Sequence, residues 1–178
     1  EYISKTLNTY FKIKDYRSNL FYDKERSLLL DQYKKKSEEI YEGLKKGDCN
    51  IYQKLDSDFE KYAKRWKSEA LAQIKENKFP IKNLKRVERE EIEPRELKNK
   101  EEYLLIIKNF LNQHYDLYSK GEKKESFEKY IKKIFKEKKR LYTKDETRPS
   151  IILKSLFKTL DPHTDYMTDE EADQFNIG

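Results

Sequence analysis

The sequence predicts an all-α fold, an irregular multi-helix bundle of about five or six helices plus a short C-terminal capped helix. Three observations predict it. Only 4 Gly and 4 Pro occur in 178 residues, too few for the tight turns of a β or Rossmann-type plan. Apolar residues recur at three- and four-residue intervals over long stretches, the spacing of one buried helix face. Aromatic residues make up 13% of a chain that is 42% charged, so it carries the large apolar groups that disordered chains lack.

Residues 2 to 22, with Tyr2, Leu7, Tyr10 and Phe11, predict an opening helix. A second starts after Asp23 as N-cap and runs to Lys46, its buried face marked by Leu29, Leu30, Tyr33, Ile40, Tyr41 and Leu44. Lys45 and Lys46 suit the negative end of the helix dipole, and Gly47 suits the left-handed residue beyond it. Asp48 then caps a helix bearing Tyr52, Leu55, Phe59, Tyr62, Trp66, Ala70 and Ile74. Joined by so few residues, these two helices should lie antiparallel.

Residues 78 to 99 break the rhythm. Pro80 and Pro94 bracket the charged stretch KNLKRVEREEIE, which reads as a long connection with room for a short irregular element or a strand. A further helix over about 100 to 119 carries Tyr103, Leu104, Ile107, Phe110, Leu111, His114 and Leu117. Another, about 124 to 142, carries Phe127, Tyr130, Ile131, Ile134, Phe135 and Leu141. Pro149 fits the first turn of the last long helix, where its missing N–H costs nothing. That helix runs through Ile152, Leu153, Leu156, Phe157 and Leu160 and ends at Asp161-Pro162.

The net charge is +6, unevenly placed. Asp161, Asp165, Asp169, Glu170, Glu171 and Asp173 are the only charged groups from 161 onward, which leaves 40 bases against 28 acids in the rest. A basic body suggests an anionic partner, yet acids and bases alternate, as in DFEKYAKRWKSEA. Mixed signs of this kind describe a solvated helix face, and nucleic acid is not expected as a partner. Cys49 is alone, which excludes an intramolecular disulfide and a cysteine-rich metal site. No apolar run approaches the length of a membrane span.

Catalytic chemistry is hard to find. Two Ser-x-x-Lys tetrads, Ser126 with Lys129 and Ser155 with Lys158, match the signature of some Ser–Lys acylating enzymes. With 10 serines and 32 lysines, about two such matches arise by chance. Neither serine lies in a Gly-rich turn that could supply an oxyanion hole. His163 between Asp161 and Asp165 fits no metal loop, and His114, the other histidine, sits on an apolar helix face. No phosphate cradle is present. The expectation is no catalytic residue, no cofactor and no metal within these residues.

The tail has a more consistent grammar. Pro162 stops the last long helix. Thr168 to Glu171 then form a capping box, Thr168 as N-cap and Glu171 reaching back from the third helical position. Tyr166, Met167 and Phe175 are left needing something to pack on.

The run from Leu153 to Ile177, LKSLFKTLDPHTDYMTDEEADQFNI, resembles the segment just before the PDZ domain in tail-specific, or carboxyl-terminal processing, serine proteases. The matching positions are Asp161, Pro162, His163, Thr164, Tyr166, Phe175 and Asn176. Upstream, IYEGLKKGDCNIYQKLDSDFEKYAKRW, with Tyr62, Lys64 and Arg65, is similar more loosely to the family's N-terminal helical region. The resemblance implies an N-terminal helical domain over 1–160 and a joint over 161–178 leading to a PDZ domain outside these residues. It implies a parent serine endopeptidase with a Ser–Lys dyad, exported to the periplasm or cell envelope, that cuts proteins captured by their apolar C-termini. The dyad lies outside these residues, so the segment alone should be inactive. Its partners would be the PDZ and protease domains of the same polypeptide, protein substrates with apolar C-termini, and an adaptor protein. The alternative from a different class is a stand-alone helical interaction or adaptor module with a mildly basic surface.

Overall fold

The computed structural model describes residues 1–15, 19–87, 97–121, 125–143, 147–161, 163, 166–167 and 172, with backbone only at 137–143 and 147. The described residues form seven helices: α1 (Tyr2–Lys14), α2 (Glu25–Lys34), α3 (Ser37–Lys45), α4 (Asn50–Glu76), α5 (Lys100–Lys120), α6 (Phe127–Thr143) and α7 (Thr147–Leu160). The fold is all-α, as the apolar spacing predicts. Among the described residues the sole β-type pairing is one isolated parallel bridge, Tyr22 to Leu97.

α1 is shorter than the expected 2 to 22, and Asp15 explains why. Its carboxylate accepts from the Asn19 and Leu20 backbone N–H groups at 2.9 and 3.3 Å, turning the chain after Lys14. Leu20 and Phe21 then enter the core as loop residues. The expected helix from Asp23 to Lys46 is two helices. Ser37 donates to the Lys34 carbonyl at 2.6 Å, offering that backbone an alternative to helix continuation. The resulting break moves Tyr41 out to solvent, where Lys45 lies 5.1 Å over its ring. Asp23 does not cap α2. Asp23 and Lys24 both take left-handed backbone, with φ of 51° and 64°, and Lys24 is the N-cap.

α3 closes as expected at Gly47, φ +72°. The Asp48 N–H bonds the Gly43 carbonyl at 2.8 Å and the Gly47 N–H bonds the Leu44 carbonyl at 3.1 Å, a Schellman stop. Gly43 permits that crossing, since a Cβ there would sit 3.2 Å from the Asp48 carbonyl oxygen. Asp48 does help start α4, accepting from the Asn50 N–H at 2.8 Å, although Cys49 holds the N-cap position. α4, at 27 residues with neither Gly nor Pro, is the spine of the domain.

The remaining helices follow the expected faces with local exceptions. α5 buries Tyr103, Ile106, Ile107, Phe110 and Leu111 but leaves Leu117 exposed near its C-terminal end. Asn99 caps it by accepting from the Glu102 N–H at 2.9 Å. Pro149 lies in the first turn of α7, as expected.

Residues 78–87 are an irregular segment pinned to α5. The Asn112 side chain bonds both the N–H and the C=O of Ile81 at 2.9 Å, and Asn109 donates to the Lys85 carbonyl at 3.0 Å. Phe79 packs on Tyr115 and Phe127.

Packing divides along α4. Its N-terminal half meets α1, with Tyr52 against Tyr10 at 5.1 Å and Phe59 against Phe11 at 4.9 Å between ring centres. Its C-terminal half meets α5 and α6 through Trp66, which contacts Phe110 at 4.8 Å and Phe135 at 5.6 Å. α2 runs antiparallel to α4, as expected, with Glu25 beside Arg65 and Tyr33 beside Asp58. Long polar side chains bridge the two. α7 lies along α1, the Tyr2 hydroxyl donating to the Leu156 carbonyl at 2.9 Å.

Candidate functional site

Both Ser-x-x-Lys tetrads are used in helix construction. The Ser126 carbonyl accepts the Tyr130 N–H at 3.0 Å, and its hydroxyl lies 3.4 Å from the Lys129 N–H, so Ser126 caps α6. Ser155 is fully buried and donates back to the Ile151 carbonyl at 2.7 Å. Ser155 is thus closed off from solvent, while the exposed Ser126 hydroxyl faces the Lys129 backbone N–H. His163 occupies a turn in which its backbone N–H bonds the Asp161 carboxylate at 2.9 Å, the local role its flanking aspartates allow. His114 packs its ring on Phe110 at 4.3 Å and near Tyr130 at 6.2 Å. Among the described residues no group of three acids, histidines or cysteines could hold a metal ion, and no helix is long and apolar enough to cross a membrane.

Of the family-motif residues, Asp161, His163 and Tyr166 are described. Pro162, Thr164, Phe175 and Asn176 lie outside the described residues, as do Thr168 and Glu171 of the expected capping box. The Tyr166 ring stacks on Phe157 with centres 6.1 Å apart and planes within 5°. Phe157 is 38% exposed, and Leu160 and Met167, nearby in the chain, are 69% and 47% exposed. The C-terminal end of α7 and the residues after it thus present large apolar groups to solvent.

Two charged clusters lie deeper. In the first, Asp56 of α4 accepts from the Tyr10 hydroxyl at 2.6 Å and from Lys14 Nζ at 2.9 Å, both on α1. Its second oxygen accepts from Arg148 Nε of α7 at 2.7 Å. Lys14 and Asp56 are both buried. Burial pulls the Lys14 pKa below the ordinary lysine value while the Asp56 charge opposes that shift. Burial, with the Asp56 charge adding to it, pushes the Tyr10 phenol well above the ordinary tyrosine value. One carboxylate therefore ties three helices together.

In the second, Arg65 of α4 binds both oxygens of Glu25 at 2.5 and 2.7 Å and donates to the Leu20 carbonyl at 2.9 Å. Its guanidinium lies 4.6 to 5.2 Å from the ring centres of Tyr22, Tyr62 and Tyr103. Burial disfavours its charge, but the bonds to Glu25 and the neighbouring Tyr103 outweigh that and raise its pKa. Lys64, its partner in the basic pair, points to solvent and pairs with Glu60 at 3.1 Å.

Sequence reasoning missed the Asp56 cluster, although a signal existed. Asp56 stands four residues after Tyr52 and three before Phe59, and Lys14 stands three after Phe11. Both are charges at core-facing positions of an apolar stripe.

No curated protein is significantly similar to the chain. The model of one protein family, described as the tail specific protease N-terminal domain, matches residues 1–170. That match spans all seven helices and the Asp161 turn, and the chain belongs to the tail specific protease N-terminal domain family.

Proposed function

We propose that this chain is the non-catalytic helical domain of an exported tail-specific serine endopeptidase, and that it frames access of substrate or partner proteins to the protease. The family match over 1–170 carries this reading. Two structural features support it. The tetrad serines serve as a helix cap and a buried helical hydroxyl, which agrees with chemistry supplied by a Ser–Lys dyad elsewhere in the parent. The exposed apolar group of Phe157, Leu160 and Met167, with Tyr166 beside it, suits a joint onto a following PDZ domain. On this reading residues 1–160 form the helical domain and 161–178 the joint. The partners are the PDZ and protease domains of the same polypeptide, substrates with apolar C-termini, and an adaptor. The site of action is the periplasm or cell envelope.

The test compares residues 1–178 with the full-length gene product on a protein ending in apolar residues and on the same protein ending in charged ones. The full-length product should degrade only the apolar-ended form and lose activity when its own nucleophilic serine is replaced. Residues 1–178 should cleave neither. A full-length product that cleaves nothing, together with tight salt-sensitive binding of 1–178 to arbitrary DNA, would replace this reading with a helical binding module.

A further inference from the structure

Residues 78–87, KFPIKNLKRV, carry Lys78, Lys82, Lys85 and Arg86 and no acid. All four cations are exposed, and among the described residues none of their side chains makes an ion pair. Surface lysines on the helices are often neutralised one turn away, as Lys61 is by Asp58 and Lys64 by Glu60. An irregular segment without acids has no such register. Glu76, just upstream, is engaged by the Gln73 amide, which donates to it at 2.9 Å. Acids return in the sequence only at Glu88.

The backbone that carries these cations is fixed at several points. Asn112 clamps the N–H and C=O of Ile81, and Asn109 holds the Lys85 carbonyl. Phe79 anchors the start of the segment on Tyr115 and Phe127, and Val87 packs on the core at its end. Between those anchors Ile81 and Leu84 stay partly exposed, so apolar side chains are interleaved with the cations along one fixed strip. Like charges held close together repel one another, a cost that an anionic partner would remove. The strip also stands away from the Asp161 turn. α7 is held at Asp56 and Tyr2, against the N-terminal half of α4 and α1, whereas the strip begins just past the other end of α4, a helix about 40 Å long.

We propose that residues 78–87 form a docking surface for an anionic phospholipid bilayer. Its headgroups attract clustered Lys and Arg side chains, and Ile81 and Leu84 enter the boundary between headgroups and acyl chains. A bound peptide fits this surface less well, since neither the hollow beside Leu28 nor that at the α3–α4 turn borders it. Nucleic acid would satisfy the cations but leave Ile81 and Leu84 in water. Phe79, the one aromatic residue of the segment, is turned onto Tyr115 and Phe127 instead of being offered for base stacking. This inference rests on the surface of 78–87 and is independent of the protease reading.

Flotation of the full-length protein with vesicles tests it, comparing phosphatidylcholine alone with phosphatidylcholine plus phosphatidylglycerol. The protein should float with the anionic vesicles and be released as salt is raised. Lys82→Gln, Lys85→Gln and Arg86→Gln should each weaken partitioning about fivefold. Adding Lys78→Gln to all three should abolish flotation without changing helical circular dichroism. Leu84→Ser, with every charge kept, should weaken it about threefold. A control that replaces Lys5, Lys45, Lys61 and Lys64 by Gln removes the same charge from paired positions on the helices, and should weaken it less than any single change in the strip. A quadruple strip variant that floats like wild type would overturn the proposal. So would a control that loses flotation to the same extent, which would reduce the effect to net charge. Tighter binding to an arbitrary DNA duplex than to anionic vesicles at the same salt, lost in the quadruple variant, would make the strip a nucleic-acid surface instead.

Discussion

The two halves of α4 face different kinds of interior. Toward its C-terminal end Trp66 sits edge-on to Phe110 and Phe135, and Phe79, Tyr115, Tyr118, Phe127 and Tyr130 continue the ring packing outward. Toward its N-terminal end Asp56 forms a charged centre with Tyr10, Lys14 and Arg148, beside the Tyr10–Tyr52 and Phe11–Phe59 ring pairs, and Arg65 with Glu25 lies between this centre and Trp66. Ring packing is tolerant of angle and depends mostly on area removed from water. A buried carboxylate is not tolerant, because each partner must arrive at hydrogen-bond distance or leave a charge uncompensated. The aromatic half should therefore supply bulk stability, and the charged half should fix the directions in which α1 and α7 run.

The largest effects that sharpen this contrast come from its two centres. Asp56→Ala and Trp66→Ala should each cost about 3–5 kcal/mol in urea denaturation, the first by stranding buried cations and the second by opening a cavity. They should differ in how they are rescued. Combining Asp56→Leu with Lys14→Met and Arg148→Met removes the charges together and should recover most of the loss. A triple variant as unstable as Asp56→Ala would erase the proposed difference between the halves.

Alkaline pH should act next most strongly, on both halves at once. Burial raises the phenol pKa of Tyr10, Tyr33, Tyr52, Tyr62 and Tyr103, with Tyr103 pushed up to about 12. The folded state then holds protons that the unfolded chain releases near pH 10, so their stabilisation is full below about pH 10 and fades as pH rises through the folded values. Lys14 works in the opposite sense. Its lowered pKa makes the folded state bind fewer protons, so its contribution improves as pH rises toward the ordinary lysine value. Above pH 10 the tyrosines should prevail, and loss of helical circular dichroism should coincide with a cooperative rise in tyrosinate absorbance. Ionisation of these tyrosines with full helicity retained would contradict it.

Two smaller changes probe the edges of the charged half. The Tyr52 hydroxyl is buried with no hydrogen-bond partner, so Tyr52→Phe should be neutral or raise stability by about 1 kcal/mol. A loss of that size instead would reveal a bond that the hydroxyl makes. Leu28 on α2 is 67% exposed, and Leu28→Ser should change stability by no more than about 0.5 kcal/mol. A larger cost, seen only in the full-length protein, would mark the outer face of α2 as a contact surface.

Much of the architecture was legible because helix faces are written locally. The stripes ending in Phe59 and Trp66 on α4 and in Phe110 and Leu111 on α5 are buried where the spacing put them. Gly47 closes α3 in the left-handed conformation that its position after Lys45 and Lys46 suggested. The errors came from side chains that compete for backbone groups. Ser37 takes the Lys34 carbonyl and Asp15 takes two N–H groups, and neither choice shows in apolar periodicity. The exposed Leu117 and Leu160 stand at positions the periodicity marked as buried, because the stripe continues past the place where a neighbouring helix covers it.

The sequence by itself determined the all-α class, the principal buried faces, the stop at Asp161 and the family resemblance of the tail, since each depends on residues close together in the chain. Tertiary structure alone decided that Asp56 would serve Tyr10 and Lys14 from one side and Arg148, ninety-two residues away, from the other. A lone acid on an apolar stripe announces only that some cation must come to it. Which cation arrives depends on how α1, α4 and α7 pack, and that is settled by the shapes of all three faces together.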